Sequence, residues 1–181
     1  VKVFPEPRVI ELIQDKGLQK DFYKEKQLAS SKFILLNGKE AVLENIKNGD
    51  IHIPFVQKSR KGGYDGKGVH VVNDIQDLED LMDCPCVIED LVDIEKELAV
   101  IVARNHQGET NAFPVVEMEF NPKANLVEFL SCPSDISKEI ELNAINIATS
   151  CINAYNMTGI LAVELFLTKN GEILINEVAP R

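Results

Sequence analysis

Two glutamates near the end of the chain, Glu164 and Glu177, flank the pair Asn170-Gly171, which is typical of a tight β-hairpin. A two-residue type I′ loop at this pair predicts that the two glutamates face each other on adjacent strands, with their Cβ atoms about 5 Å apart. Like charges at that distance need a shared proton or a cation, and Mg²⁺ binds through one or two carboxylates plus phosphate oxygens and water. We therefore predict a magnesium site, with two solvated surface glutamates as the alternative. Asn176 could add a neutral oxygen, although strict strand alternation would point it to the opposite face.

A second chemical signal is KSRKGGYDGKG, residues 58 to 68, which combines cationic side chains and glycines in a chain of formal net charge -10. The stretch lacks the GxxxxGK[ST] and GxGxxG spacings of loops that open a helix, and it lies between two predicted strands. Backbone amides and lysines of a glycine-rich hairpin can fold over phosphate groups. The stretch therefore predicts a phosphate-binding loop, with a flexible exposed turn as the alternative.

Length and composition limit the classes of protein that fit. A chain of 181 residues, 45% hydrophobic and 27% charged, has enough apolar material for a core. The acid excess argues against a nucleic-acid or membrane-surface partner. No apolar run approaches the ~20 residues that span a bilayer, so we expect a cytoplasmic chain with reduced cysteines. The chain starts at Val1 and stops after a strand-like run, which suggests a piece of a longer polypeptide.

The elements that must position these groups change character along the chain. The first half predicts a small α+β unit, and the second half predicts an antiparallel sheet covered by a long helix that starts at Ser134 or Asp135. Helical patterns in the first half cover residues 8–26 with a break near Gly17, residues 39–49, and a run from Asn73 or Asp74 to about Met82. Strand patterns there cover residues 32–36, 51–58 and 69–72. The predicted fold class is α+β.

These features in this order resemble the ATP-grasp superfamily and, within it, the family of 5-(carboxyamino)imidazole ribonucleotide synthases, also called the ATPase subunit of phosphoribosylaminoimidazole carboxylase. The stretches that carry the resemblance are QDKGLQK, VQKSRKGGYDGKG, VIEDLV followed by EKELAV, FPVVE, and GILAVELF with GEILINEVAPR. The resemblance implies an ATP-grasp fold in three parts: residues 1–30 as a helical linker, 31–88 as a lid subdomain with the glycine-rich loop, and 89–181 as an antiparallel-sheet subdomain with the metal site. It also implies that an N-terminal α/β domain and a C-terminal domain of the family are missing.

The resemblance further implies a ligase that forms a carbon-nitrogen bond. Its reaction would be the ATP-dependent carboxylation of 5-aminoimidazole ribonucleotide with bicarbonate, through carboxyphosphate, releasing ADP and phosphate in de novo purine (IMP) biosynthesis. ATP and Mg²⁺ are the implied cofactors, and a homodimer of the full-length protein is compatible with the resemblance. This fragment alone is expected to be inactive. Two alternatives stay open: another ATP-grasp carboxylate-amine ligase, and a catalytically silent nucleotide-binding sensor.

Site residues are implied by position. Lys16 and Lys58 would contact the ATP phosphates and the adenine pocket, Glu97 would bind the ribose, and Glu164 and Glu177 would hold magnesium beside Asn176. The hairpin Gly63, Tyr64, Asp65, Gly66, Lys67 and Gly68 would close over the triphosphate, and the segment Glu89, Asp90, Leu91 and Val92 would read adenine through backbone groups. Tyr64, Asp65 and Arg181 would act at the reacting groups, whereas Phe120, which stands where many relatives have histidine, is left unassigned.

Overall fold

The computed structural model describes residues 2–63, 68–121 and 126–181, which form two antiparallel sheets and their covering helices. The helices are α1 (Pro7–Ile13), α2 (Lys16–Glu25), α3 (Lys39–Asn48) and α4 (Lys138–Tyr155). The strands are β1 (Phe33–Asn37), β2 (Phe55–Ser59), β3 (Val69–Val72), β4 (Pro85–Asp90), β5 (Ile94–Arg104), β6 (Thr110–Ala112), β7 (Val116–Asn121), β8 (Leu126–Ser131), β9 (Gly159–Thr168) and β10 (Ile173–Pro180). Within the described part of the chain, no helix is both long and apolar enough to cross a membrane.

The smaller sheet has the strand order β1-β4-β2-β3. Helix α3 packs against it and contributes Val42 to a core that includes Phe55, Val72 and Ile88. The helix ends where Gly49 adopts a left-handed conformation at φ +80°, which glycine accepts without a side-chain clash. This sheet therefore has its own hydrophobic core and carries the ends of the glycine-rich stretch, one on β2 and one at β3.

The larger sheet has the strand order β10-β9-β5-β7-β8, and β6 pairs with β5 beside this path. Alternate residues of β9, such as Leu161, Val163 and Leu165, belong to a core shared with the buried residues of α4. Because side chains alternate across a strand, Glu164 and Phe166 emerge on the other face. The predicted antiparallel sheet with a helix on one side is confirmed, and its second face is free to build a site.

The predicted break between two helices near Gly17 is confirmed, although Gly17 itself lies inside α2. The break falls at Gln14 and Asp15, because the Asp15 carboxylate accepts hydrogen bonds from the amides of Gly17 and Leu18 as an N-cap. The predicted strand over 51–58 begins only at Phe55. Pro54 directly precedes it, and a proline has no N–H to donate to a strand ladder.

The predicted helix from Asn73 or Asp74 to about Met82 is a single 3₁₀ turn over Gln76–Asp80. The Asp77 carboxylate accepts from the amides of Asn73 and Asp74 at 2.7 and 3.1 Å, a local arrangement that competes with a longer helix. Helix α4 starts later than predicted, after Ser137, whose hydroxyl accepts from the amide of Ile140.

Candidate functional site

A cleft of about 280 Å³ lies between the two sheets. The smaller sheet lines it through β2, β3 and β4, and the larger sheet through β5, β7, β9 and β10. The cleft brings together eleven of the site residues implied by the sequence, namely Lys16, Lys58, Gly63, Glu89, Asp90, Leu91, Val92, Glu97, Glu164, Asn176 and Glu177. Residues separated by up to 161 positions in the chain are therefore collected in one place.

Glu164 on β9 and Glu177 on β10 are paired in register, as predicted, but the predicted two-residue loop is wrong. The amide of Thr168 donates to the carbonyl of Glu172 and the amide of Gly171 donates to the carbonyl of Thr168, both at 2.9 Å, which leaves three residues in the loop. Gly171 takes the left-handed conformation, φ +84°, that such loops require. This loop displaces the pairing by one residue.

A β-bulge at Asn176 restores the pairing. Ile175 pairs with Leu165 and Glu177 pairs with Glu164, so Asn176 is the extra residue on β10. The bulge also breaks the alternation that would have turned the Asn176 side chain away. Its Oδ1 accepts a hydrogen bond of 2.8 Å from Lys58 Nζ and lines the cleft beside Glu177.

The paired carboxylates lie in an electrostatically unfavourable position. Burial raises the pKa of Glu164 to about 7, and the nearby charges of Glu177 and Glu97 act in the same direction, while Lys16 and Arg181 oppose them. Lys16 Nζ lies 2.5 Å from Glu177 Oε2 and supplies its counterion. Burial also raises the pKa of Glu97. The site therefore holds more negative charge than its lysines neutralise.

Arg181 is exposed and is absent from the residues that line the cleft. Its backbone amide donates to the carbonyl of Ile160 at 2.9 Å, which fixes the end of β10 beside the start of β9. Its positive charge still reaches Glu164 and favours the ionised carboxylate. Arg181 therefore lies within electrostatic range of the site.

Glu89, implied to act through its backbone, has a side chain that is only 3% exposed. Its Oε2 accepts hydrogen bonds from Lys20 Nζ at 3.0 Å and from the hydroxyl of Ser31, and its Oε1 lies 3.1 Å from Lys58 Nζ. Burial by itself would raise the pKa of Glu89, but the ammonium groups of Lys58 and Lys20 hold that pKa below its ordinary value. Sequence reasoning missed Lys20 and Ser31. Lys20 follows Lys16 by one helical turn, and this spacing was the available signal.

The base of the glycine-rich stretch is closed by backbone contacts. The amide of Ser59 donates to the carbonyl of Gly68 at 2.8 Å. Gly68 has φ +82°, and a Cβ there would lie 3.1 Å from Gly63 Cα and closer still to the Ser59 hydroxyl. Only glycine fits this position. Tyr64, Asp65, Gly66 and Lys67, for which the sequence implies contacts with phosphates and reacting groups, lie outside the described residues.

The cleft also has an apolar wall that sequence reasoning missed. It is formed by Val56, Val69, Val71, Ile94, Phe120 and Phe166. Phe166 lies two residues from Glu164 and Val56 two residues from Lys58, so strand alternation could have placed both on the site face. Lys58 Nζ lies 5.9 Å from the centroid of the Phe166 ring. Phe120, which the sequence analysis left unassigned, also lines the cleft.

The cleft thus combines an apolar slot, two lysines and a carboxylate pair between two antiparallel sheets, beside the ends of the glycine-rich stretch. A family model described as the ATP-grasp domain matches residues 21–181. The chain belongs to the ATP-grasp family, as the resemblance indicated.

Relatives of known sequence and structure agree with this membership. Phosphoribosylaminoimidazole carboxylase of Saccharomyces cerevisiae is 35% identical over 100% of this chain, which spans only 32% of that protein. The crystal structure of N5-carboxyaminoimidazole ribonucleotide synthetase from Thermotoga maritima is 39% identical, with a TM-score of 0.85 over 99% of this chain and 45% of that one. N5-carboxyaminoimidazole synthase from Aspergillus clavatus, in complex with ADP and 5-aminoimidazole ribonucleotide, is 25% identical, with a TM-score of 0.86 over 99% of this chain and 47% of that one.

Proposed function

We propose that this chain is the ATP-binding part of an enzyme that carboxylates 5-aminoimidazole ribonucleotide with bicarbonate, at the expense of ATP, in de novo purine biosynthesis. The observation that carries the proposal is a match along the whole chain, at 35% identity, to a phosphoribosylaminoimidazole carboxylase. The similarity to the Thermotoga maritima synthetase supports the same proposal. Because the chain spans about a third of the yeast protein, turnover requires the full polypeptide, and this chain alone binds nucleotide without carboxylating. The proposed location of the full enzyme is the cytoplasm.

The proposal gives each part of ATP a place in the cleft. The apolar wall accepts the adenine ring, with backbone groups of Glu89 to Val92 at its edge, and Glu97 receives the ribose hydroxyls. Lys16 and Lys58 bind the phosphates as point charges. The hairpin from Gly63 to Gly68 is assigned to cover the triphosphate, because Gly63 lines the cleft and Gly68 lies against Gly63.

The carboxylate pair fits a magnesium ion. Glu164 and Glu177 lie on adjacent strands with Asn176 beside them, and the pKa of Glu164 is raised to about 7 because the carboxylate is buried beside another. A hard cation relieves that repulsion and takes oxygen ligands of this kind. When bound, the ion would neutralise charge on the phosphate oxygens. The described residues contain no group of three or more acidic, histidine or cysteine side chains arranged for a metal, so phosphate and water would complete the shell.

The proposed reaction has two steps. A bicarbonate oxygen attacks the γ-phosphorus and the bond to the bridging oxygen of ADP breaks, which gives carboxyphosphate. The exocyclic amine of 5-aminoimidazole ribonucleotide then forms a bond to the carboxyl carbon, phosphate leaves, and the nitrogen loses a proton. Both steps bring anions together, so lysines must neutralise developing charge and the closed cleft must exclude water from the labile intermediate. Arg181, whose charge reaches Glu164, is assigned to the carboxyphosphate end of the site.

Phosphate release by the full-length polypeptide tests the proposal. We expect release from Mg-ATP that rises only when both bicarbonate and 5-aminoimidazole ribonucleotide are present. Release that depends on a different carboxylate and amine would assign the protein to another ATP-grasp ligase. Nucleotide binding with no release under any combination would make it a silent sensor.

A further inference from the structure

Lys20 is a buried cation outside the nucleotide-binding cleft. It lies on α2, one turn after Lys16, and is 2% exposed. Its ammonium group donates hydrogen bonds to Ser31 Oγ at 2.9 Å and to Glu89 Oε2 at 3.0 Å. It is absent from the cleft lining, whereas Glu89 lines it. Any effect of Lys20 on a ligand must therefore pass through another side chain.

The hydrogen bonds that the Glu89 carboxylate accepts come from residues outside the cleft lining. Lys20 and Ser31 both donate to Oε2. Oε1 lies 3.1 Å from Lys58 Nζ, yet it has no hydrogen-bond partner among the described residues, so this second contact is an ion pair without hydrogen-bond geometry. The orientation of the Glu89 carboxylate therefore depends on Lys20 and Ser31 more than on Lys58.

Glu89 and Asn176 in turn hold Lys58. Lys58 Nζ donates to Asn176 Oδ1 at 2.8 Å on one side and faces Glu89 on the other. The polar contacts thus run from Lys20 on α2, through β4 and β2, to the bulge of β10. They join elements of both sheets across the back of the cleft.

We propose that Lys20 is a positioning residue for the nucleotide site: it fixes the Glu89 carboxylate, which holds the Lys58 ammonium at the cleft wall. This inference rests on the proposed function. A buried ion pair is a weak source of stability compared with apolar residues of the same volume, so stability alone does not account for it. Without Lys20, Glu89 loses one of the two groups that donate to its Oε2, so the carboxylate no longer holds the Lys58 ammonium in one position.

Lys20→Met, which keeps the length of the side chain and removes its charge, is the direct test. Lys24→Met is the matched control, because Lys24 is an exposed lysine on the same helix. Affinity for Mg-ADP is measured by calorimetry on this chain at about pH 6 and about pH 8.5, a range wide enough to reveal a carboxylate with a raised pKa. The charged and titratable groups around Glu89 are Lys20 from α2, Lys58 from β2, Glu97 from β5, which faces Lys58, and Glu177 from β10, which acts on Lys20.

We expect Lys20→Met to weaken Mg-ADP binding by about tenfold, the loss that corresponds to one hydrogen bond to a charged group. The ratio of variant to unmodified dissociation constants should rise toward low pH, because Glu89 without Lys20 takes up a proton more readily and then releases Lys58. A purely structural role would lower thermal stability and leave this pH-dependent ratio flat. Equal affinities for the variant and the unmodified chain at both pH values would overturn the inference.

Ser31→Ala keeps the test decisive if Lys20→Met does not fold. This change removes the hydroxyl between Lys20 and Glu89 and leaves both charges in place. We expect a smaller loss of affinity with the same direction of pH dependence, and unchanged affinity would contradict the positioning role. An unmodified chain that binds no Mg-ADP would remove the proposed function and this inference together, whereas normal binding by Lys20→Met would remove only the inference.

Discussion

The guanidinium of Arg60 donates to both carboxylate oxygens of Asp15, from Nε at 2.8 Å and from a terminal nitrogen at 2.9 Å. Asp15 caps α2, and the carbonyl of Arg60 accepts from the amide of Lys16 at 2.9 Å. The first residue after β2 is therefore fixed to the helix start that carries Lys16. The glycine-rich stretch and Lys16 are positioned by one buried carboxylate, which is 4% exposed.

Gly17→Ala should break this connection. A Cβ at Gly17 would lie 2.5 Å from Arg60 Nε, so the guanidinium must leave Asp15. Alanine normally stabilises a helix relative to glycine, yet here we expect a loss of about 1–3 kcal/mol in the free energy of unfolding, because a buried carboxylate loses its partner. Urea unfolding measures this loss. In an Arg60→Ala background the same substitution should be neutral or stabilising, and an equal loss in both backgrounds would contradict the explanation.

Glu177→Gln should remove most of the effect of magnesium on nucleotide affinity. The substitution keeps the shape of the side chain and removes the charge that a cation requires. We expect ADP affinity in the presence of Mg²⁺ to fall by about tenfold or more. In the absence of Mg²⁺ the affinity should not fall, because Glu177 no longer competes with phosphate for Lys16. Calorimetry with and without Mg²⁺ measures both. Glu172→Gln, an exposed glutamate on the same hairpin, is the control, and an equal response of the two variants would sink the metal assignment.

Glu164 should make stability depend on pH in a defined direction. Its pKa is about 7 in the folded protein against 4.5 for an ordinary glutamate, so the folded state binds the extra proton between these values. Stability therefore falls as the pH rises through this window, and the full penalty is present above about pH 7. Glu164→Gln should be more stable than the unmodified chain by at least about 1 kcal/mol at pH 8, and equally stable at pH 4. Denaturant unfolding at both pH values checks this, and a gain that is the same at both would contradict the assignment.

Lys58→Ala should weaken nucleotide binding without unfolding the chain. Lys20 and Ser31 still bond to Glu89 in this variant, so the buried carboxylate keeps a counterion. We expect about a tenfold loss of Mg-ATP affinity, as for a charged hydrogen bond to phosphate, with an unchanged circular dichroism spectrum. Lys47→Ala on α3, an exposed lysine, should change neither property. Unchanged affinity after the Lys58 substitution would mean that this lysine has only a structural role and does not contact the nucleotide.

The hairpin shows both what sequence can predict and what it cannot. Local pattern correctly placed β9, β10 and the turn between them, and it paired Glu164 with Glu177. Two errors cancelled in that pairing: the loop has three residues rather than two, and the bulge at Asn176 adds one back. A bulge depends on contacts with distant parts of the chain, and here that contact is the hydrogen bond between Asn176 and Lys58.

The buried charges show a second limit. Lys20 and Glu89 are 69 residues apart, and no periodicity in either segment indicates that they meet. Part of the apolar wall was within reach of local rules, since the alternation of their own strands places Val56 and Phe166 on the site face. Local rules therefore suffice to indicate which face of a strand a side chain occupies, whereas the pairing of groups across the two sheets depends on how the sheets pack.

The contact between Lys16 and Glu177 has a thermodynamic consequence. Without ligand, the ammonium occupies the carboxylate that a cation needs, and the carboxylate occupies the ammonium that a phosphate needs. A metal ion at Glu177 would free Lys16 for phosphate, and a phosphate at Lys16 would free Glu177 for the metal. Metal and nucleotide should therefore bind with positive cooperativity, and each must raise the affinity of the other by the same factor.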